Sequence, residues 1–139
     1  MKRLAFAVFL TFVTLSAVAQ RPFEGFFTNS NWNIKMQLNL YADSIDVPGL
    51  ELEQCYGYLK GDINGMWVIL KVSELKDGNK AIVRAVSERG GDAQDIEFRK
   101  EDNGDLILDL KGDTELRGVV AGKRVKLPKN LRLERMKND

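Results

Sequence analysis

Residues 32–41 read Trp-Asn-Ile-Lys-Met-Gln-Leu-Asn-Leu-Tyr, and this stretch decides the fold class. Its side chains alternate, with apolar residues at the even positions and polar residues at the odd positions up to 39. Successive side chains of a β-strand point to opposite faces, so a period of two predicts a strand with one buried face. A helix would need apolar residues three and four positions apart. We expect the even face to point into the core: Trp32, Ile34, Met36, Leu38 and Leu40.

Shorter alternating stretches follow, separated by turns rich in Asn, Asp and Gly, such as 64–65 and 77–79. These turn sequences favour tight hairpins. In 66–72 the alternation predicts one face with Trp67, Ile69 and Lys71 and an opposite face with Val68, Leu70 and Val72. A weaker alternating piece covers 43–47, and a further strand is predicted over 114–120. The chain therefore predicts nine to eleven short strands, with no amphipathic helix after residue 20.

Tight hairpins favour an antiparallel meander, because parallel strands need longer crossover connections. An open meander would expose two sheet edges, and closure into a barrel removes both of them. We therefore predict an all-β fold, an up-and-down barrel of eight to ten strands, with a β-sandwich as the alternative.

Residues 1–19 have the pattern of a secretory signal peptide, with Lys2 and Arg3, an apolar run and a small-residue site ending at Ala19. The apolar run is shorter than the roughly 20 residues of a membrane-spanning helix. We expect cleavage after Ala19, no membrane span afterwards, and a single domain over 20–139. No cysteine follows the cleavage site directly. The expected product is periplasmic or secreted, and is not a lipoprotein.

Composition excludes several chemistries. The chain has no His and one Cys, so Ser-His-Asp and Cys-His catalysis, His-based zinc sites and Cys metal clusters are excluded. We assign no catalytic residue, no metal and no cofactor, and lean towards a non-enzymatic protein. Without Lys2 and Arg3 the chain has 19 basic and 20 acidic residues, a balance that argues against a nucleic-acid partner. Cys55 is expected to be a buried small side chain, with an intermolecular disulfide or a reactive thiol as the alternative.

Carboxylate catalysis is the third functional hypothesis, as in a glycan-active enzyme. Such an enzyme needs two carboxyl groups facing each other across a cleft. Acids in loops are more often solvated turn residues, and we expect that role here. The sequence 102–105, Asp-Asn-Gly-Asp, lacks the remaining ligands of a calcium loop and predicts a hairpin turn. The candidate carboxylate pairs are Asp43 and Asp46, Glu51 and Glu53, and Asp92 and Asp95.

The leading functional hypothesis is a small apolar or amphipathic ligand held inside the barrel. An eight-stranded barrel is just wide enough to be filled by side chains or to hold one small ligand. Ligand sites combine apolar and aromatic walls with a few polar groups. An inward Arg84 would need an acidic partner or an anionic ligand. The candidate lining residues are Met36, Tyr56, Tyr58, Trp67, Lys71 and Arg84.

The C-terminal part of the chain is basic. Its cations suggest the alternative function, a protein-interaction or inhibitor module acting through loops and the last strand. They would also suit a polyanionic glycan or a membrane surface. Lysines and Pro128 also protect a sheet edge from pairing, and we favour that interpretation. The basic residues are Lys123, Arg124, Lys126, Lys129, Arg132, Arg135 and Lys137.

The sequence Gly25-Phe26-Phe27, a basic residue at Arg132 or Arg135 on the last strand, and a meander between them resemble the lipocalin-like, or calycin, group. That group has Gly-x-Trp on its first strand and a basic residue over the aromatic ring, so Phe27 takes the place of Trp here. The resemblance implies a small exported β-barrel with a ligand. The signal ending and the small size are similar in style to exported proteins of gut Bacteroidota.

Overall fold

The computed structural model describes residues 21–50, 54–76 and 78–137. The predicted signal peptide, Gln20, Glu51, Glu53 and Asp77 lie outside the described residues. Within them the chain forms ten strands and no helix, so no helix there is long and apolar enough to cross a membrane. The strands are β1 (Glu24–Asn29), β2 (Ile34–Asn39), β3 (Gly57–Lys60), β4 (Trp67–Lys76), β5 (Lys80–Ser87), β6 (Gln94–Lys100), β7 (Leu106–Lys111), β8 (Gly118–Val120), β9 (Lys123–Val125) and β10 (Leu131–Arg135).

Eight strands close into one barrel in the order β1-β10-β7-β6-β5-β4-β3-β2. Each neighbouring pair is antiparallel, and β1 to β7 follow one another as an up-and-down meander. The last strand, β10, completes the barrel between β7 and β1. The remaining strands, β8 and β9, form a separate two-stranded hairpin outside the barrel. A bridge between Gly118 and Ile63, and a hydrogen bond from the amide of Val119 to the carbonyl of Asp62, join this hairpin to the β3–β4 turn. The predicted all-β barrel is confirmed with eight strands, and the sandwich alternative is not.

The stretch at 32–41 supplies β2, between β1 and β3. Ile34, Met36 and Leu38 are almost completely buried, and Leu40 is buried just beyond the strand. The prediction that Trp32 belongs to this strand was wrong, because the backbone at Asn33 has a φ of 49° and does not continue the strand. Trp32 therefore lies in the turn between β1 and β2, where its half-buried ring packs against the barrel core and also covers the backbone of Gly118.

Strand β4 contains β-bulges that change which side chains point inward. The register with β5 shifts between Ile69 and Lys71, so Leu70 is an extra, unpaired residue. A bulge reverses the alternation of the residues that follow it. Ile69 and Val72 face the core, opposite Ala85 and Val83 of β5. The predicted common face for Trp67, Ile69 and Lys71 was wrong from this bulge onwards.

Residues 43–50 form an outer layer instead of the predicted strand at 43–47. A single bridge joins Val47 to Leu50, and the segment packs against the outer face of β3 and β4. Beneath it Val47, Cys55, Tyr58 and Val68 form a second apolar cluster. Cys55 is completely buried, as expected, and burial raises the pKa of its thiol. Its Sγ donates a hydrogen bond to the carbonyl oxygen of Gly57 at 3.1 Å.

Residues 112–117, here called the end strap, cross one end of the barrel between β7 and β8. Leu116 is buried in the barrel core. The buried amide of Gln94 accepts hydrogen bonds from the backbone N–H groups of Glu115 and Leu116 and donates to the carbonyls of Asp95 and Lys111. At the far side, the β3–β4 turn holds the end strap through Asn64, which bonds to the backbones of residues 115 and 117. The end strap therefore closes this end of the barrel.

Candidate functional site

The structure does not gather the six residues proposed from the sequence as a ligand site. Met36 and Trp67 lie in the barrel core, where the indole N–H of Trp67 donates to Asn64 Oδ1 at 3.2 Å. Tyr58 points outward and is buried in the second cluster, under the 43–50 segment. Tyr56 is half-buried, and its hydroxyl accepts a hydrogen bond from Gln54 Nε2 at 2.6 Å.

The two cationic members of that set lie on the outer wall of the barrel. Arg84 is flanked by the buried Val83 and Ala85, so its own side chain faces solvent. It forms an ion pair with Asp95 of β6, with 2.9 Å between Nε and Oδ1. The hydrogen bond from Arg84 holds the pKa of Asp95 below its usual value. Lys71 is exposed beside Arg84 on the neighbouring strand.

The interior of the barrel is filled by apolar side chains. Each of the eight strands contributes at least one inward residue that is no more than 2 % exposed. These residues belong to a single cluster, as expected for a barrel just wide enough for side chains to fill. One representative from each strand is Phe27, Met36, Leu59, Ile69, Val83, Phe98, Leu108 and Leu133.

A groove of about 930 Å³ lies on the outside of the barrel, over β1, β2 and β10 and beside the β6–β7 turn. Its apolar part consists of Phe26, which is 48 % exposed, Met136, which is 53 % exposed, and Ile45. Phe26 and Met136 are neighbours, because the amide of Met136 donates to the carbonyl of Phe26 at 2.8 Å. Charged residues of both signs border the groove, namely Arg21, Glu24, Glu134 and Lys137.

Arg135 fixes the end of the barrel from which this groove opens. Its guanidinium carbon lies 4.7 Å from the centre of the Phe27 ring. Its side chain donates hydrogen bonds to four backbone carbonyls, at residues 21, 22, 24 and 104. Of the two basic residues left open by the sequence, Arg135 covers the ring, whereas Arg132 pairs with Glu101 and Asp105 on the surface. The chain before β1, the β6–β7 turn and β10 are thus tied together.

Sequence reasoning did not identify Phe26 or Met136 as site residues, although a signal was present. Adjacent residues of a strand point to opposite faces, so Phe26 and Phe27 cannot both be buried in the barrel. One of two consecutive phenylalanines had to be exposed or covered by another element. The outward one is Phe26, and it lies in the groove.

The four candidate carboxylates that the structure describes do not converge in a cleft. Asp43, Asp46 and Asp92 are exposed, and Asp95 is paired with Arg84. Among the described residues, no three His, Cys, Asp or Glu side chains are placed to hold a metal ion.

A nearly buried carboxylate was missed by the sequence reasoning. Glu97 is 5 % exposed and has three cations around it, with Lys111 at 2.8 Å, Arg99 at 3.7 Å and Lys80 at 3.8 Å. The hydrogen bond to Glu97 raises the pKa of Lys111. The carboxylate and these cations form a network that bridges β5, β6 and β7, and we assign it a structural role.

The seven basic C-terminal residues are divided among three places, and one of them, Lys137, lines the groove. Arg132 and Arg135 belong to the barrel wall and have the partners described above. Lys123, Arg124, Lys126 and Lys129 are exposed on and after β9. Within the described part of the chain, no carboxylate lies within 4 Å of any of these four cations.

Fold and site define the class of protein: a closed, eight-stranded antiparallel barrel with a filled interior and a groove on its outer wall. Comparison with known proteins found no family model, no curated protein and no solved structure that matches this chain.

Proposed function

We propose that this protein is an exported, non-enzymatic binding protein of the lipocalin-like type, periplasmic or secreted, which holds a small amphipathic ligand. We place the ligand in the groove over β1, β2 and β10. The observation that carries this proposal is the pair of large apolar side chains, Phe26 and Met136, both about half exposed in a concave surface. Single exposed apolar side chains are common, but adjacent ones that form a patch rimmed by polar residues mark an interaction site or a ligand groove.

The size and chemistry of the groove support a small ligand. Its volume of about 930 Å³ falls within the range of roughly 300–1,000 Å³ that is usual for small-molecule sites. The apolar centre at Phe26, Met136 and Ile45 suits a hydrocarbon or aromatic body, and the charged border suits polar ends. The filled interior leaves the groove as the better location for the ligand.

The lipocalin-like assignment is supported by two features. The first is the closed barrel of eight antiparallel strands in meander order. The second is the guanidinium of Arg135 over the ring of Phe27, which matches the arrangement that the resemblance implies. A cation over an aromatic face is an electrostatically favourable contact, and here it also joins the first and last strands.

Titration of residues 20–139 with 1-anilinonaphthalene-8-sulfonate, an amphipathic fluorescent probe, tests the groove. Apolar area removed from water contributes about 25 cal/mol per Å² to the binding free energy. Removing the Phe26 ring and the Met136 thioether should therefore weaken binding of the probe. We expect the double variant Phe26→Ser, Met136→Ser to bind the probe at least about tenfold more weakly than the unmodified chain.

Leu75→Ser is the matched control, because Leu75 is 42 % exposed on β4, away from the groove. It should leave the affinity for the probe unchanged. Equal affinity of the unmodified chain and the groove variant would contradict the groove as the site. In that case the interior prediction would be tested next, through Met36 and Trp67.

A further inference from the structure

The β8–β9 hairpin lies outside the barrel, which closes without it. Its strands pair with each other, with Val120 opposite Lys123, so the turn contains only Ala121 and Gly122. Both turn residues have positive φ angles, of 53° and 78°. A two-residue turn with this backbone normally has Asn or Asp followed by Gly.

Alanine at position 121 makes the tip of this hairpin apolar. L-residues with a Cβ rarely adopt positive φ, and Asn tolerates it best, so Ala121 is strained where Asn would be relaxed. Val120 beside it is 53 % exposed. Strain of this kind at an exposed position is a reason to look for a function.

A tryptophan lies next to this tip. Trp32 lines a cleft of about 430 Å³ together with Val119, Val120 and Ala121. The Trp32 ring lies so close to Gly118 that no side chain would fit there, and this contact fixes the hairpin against the barrel. The acidic residue of the cleft is Asp62, whose carboxylate accepts a hydrogen bond from Asn33 Nδ2 at 2.8 Å.

The charge on the hairpin itself and on the chain that follows it has one sign. From residue 117 to residue 133 the chain has six basic residues and no acidic residue. Lys123, Arg124 and Lys126 follow the apolar tip directly and are exposed. No carboxylate of the described residues lies within 4 Å of them, so their charge is available to an external partner.

We propose that the tip of the β8–β9 hairpin docks the protein on an anionic lipid bilayer. Lys123, Arg124 and Lys126 would contact the headgroups, while Val120 and Ala121 enter the interface. Lysine and arginine close to an anionic membrane each contribute favourable electrostatic energy, and tryptophan is enriched at the depth of the headgroups. A soluble polyanion would use the cations but would gain nothing from an apolar, strained tip. For this reason the observations favour a membrane over a polyanionic glycan.

Sedimentation of residues 20–139 with vesicles tests this proposal, since this part of the chain contains all ten strands and lacks the apolar run at 4–15. We expect binding to vesicles containing phosphatidylglycerol, weaker binding at high salt, and a blue shift in tryptophan emission. Vesicles of phosphatidylcholine alone should bind much less. At about 1 kcal/mol for each cation, the variant Lys123→Ala, Arg124→Ala should lose affinity by about thirtyfold.

Two variants at the tip of the hairpin distinguish the loss of an apolar contact with the membrane from a loss of folding. Ala121→Asn relieves the strained backbone, so it should keep or raise stability while weakening vesicle binding. Val120→Asp should weaken binding more, by at least about tenfold, because it removes an apolar contact and adds a repelled charge. The matched charge control is Lys71→Ala, Lys100→Ala, which removes two exposed cations elsewhere on the barrel and should change binding by less than about twofold.

Three results would overturn the proposal: no binding to the anionic vesicles, equal binding to neutral vesicles, or equal losses for the control pair and the hairpin pair. Dextran sulfate is the comparison ligand. If it binds with the same dependence on Lys123 and Arg124, and if Ala121→Asn, which adds no charge, weakens the binding of neither ligand, the hairpin is a polyanion site and membrane docking is wrong. The probe titration of the groove is done without lipid, so its outcome is independent of this one.

Discussion

At the scale of single residues, Arg135 contributes more to the stability of the fold than the charged residues of the surface do. A guanidinium presents five N–H donors in a fixed plane. In this protein it reaches carbonyls at 21, 22, 24 and 104 while its face covers Phe27. Lysine has a single ammonium group and cannot satisfy acceptors in such different directions.

We therefore expect Arg135→Lys to lower the free energy of unfolding by about 2–3 kcal/mol, since hydrogen bonds to charged groups each contribute about 1.5–3 kcal/mol and lysine retains some of them. Denaturant titration followed by tryptophan fluorescence measures the change. Arg132→Lys is the control, because the partners of Arg132 are exposed carboxylates and such pairs contribute at most about 1 kcal/mol. Equal losses for the two variants would show that the contacts of Arg135 have no special role.

The alternation of inward and outward residues along β10 was sufficient to predict which of these two arginines covers the Phe27 ring. Leu131 and Leu133 are apolar and inward, so Arg135 falls on the inward face and Arg132 on the outward face. The same alternation gave the wrong orientation for Lys71, because the bulge at Leu70 reverses the two faces of β4. The local sequence pattern does not reveal this bulge. Local alternation thus predicts orientation only as far as the next bulge.

At the scale of elements, the end strap shows how a side chain can replace a strand partner. The sequence predicted a strand over 114–120, but only Gly118–Val120 forms one. The amides of Glu115 and Leu116 donate instead to the side chain of Gln94, at 2.7 and 3.2 Å. This contact joins residues more than twenty positions apart, so no short window of sequence could reveal it. The same applies to the 43–50 segment, whose apolar residues cover an outer face.

Gln94→Leu should detach the end strap. It leaves the two amides at 115 and 116 and two carbonyls without their partner, and each unpaired buried polar group costs about 1–3 kcal/mol. We expect a loss of about 2–4 kcal/mol in the free energy of unfolding, because water will reach some of these groups. Hydrogen exchange followed by NMR should show faster exchange of the amides of Glu115 and Leu116.

The control for this variant is Gln37→Leu, the same replacement on the outer face of β2, where Gln37 is half-buried. It should change the free energy of unfolding by less than about 0.5 kcal/mol, as is usual for surface positions. If Gln94→Leu unfolds the protein no more easily than this control, the end strap is held by Leu116 and Asn64 without a contribution from Gln94.

At the scale of the whole molecule, alternation and turn sequences were enough to predict the barrel. They predict antiparallel neighbours, and the cost of open edges predicts closure. They do not show that β10 closes the barrel after an inserted hairpin, because that depends on a pairing between the two ends of the chain. They also do not distinguish a filled interior from an open one, which depends on how side chains from eight strands fit together.

The barrel places its two proposed binding surfaces at opposite ends. The groove includes Glu24 and Asn39, where β1 begins and β2 ends, whereas the hairpin contacts Trp32 in the turn between these strands. A strand of six residues, such as β1, is roughly 20 Å long. A protein docked through the hairpin would therefore leave the groove facing the solution.

Environment-sensitive labels test this arrangement. A cysteine introduced as Val120→Cys and labelled with a polarity-sensitive dye should show a blue shift when anionic vesicles are added, whereas a label on Lys137→Cys should not. The native thiol should not interfere, because Cys55 is completely buried and burial raises its pKa, which lowers the fraction of reactive thiolate. The unmodified chain, treated with the same dye, checks this point. Blue shifts at both labels would mean that the barrel lies on its side on the membrane, with the groove partly covered. A shift at position 137 alone would place the membrane at the groove, and the orientation argued from the hairpin would be wrong.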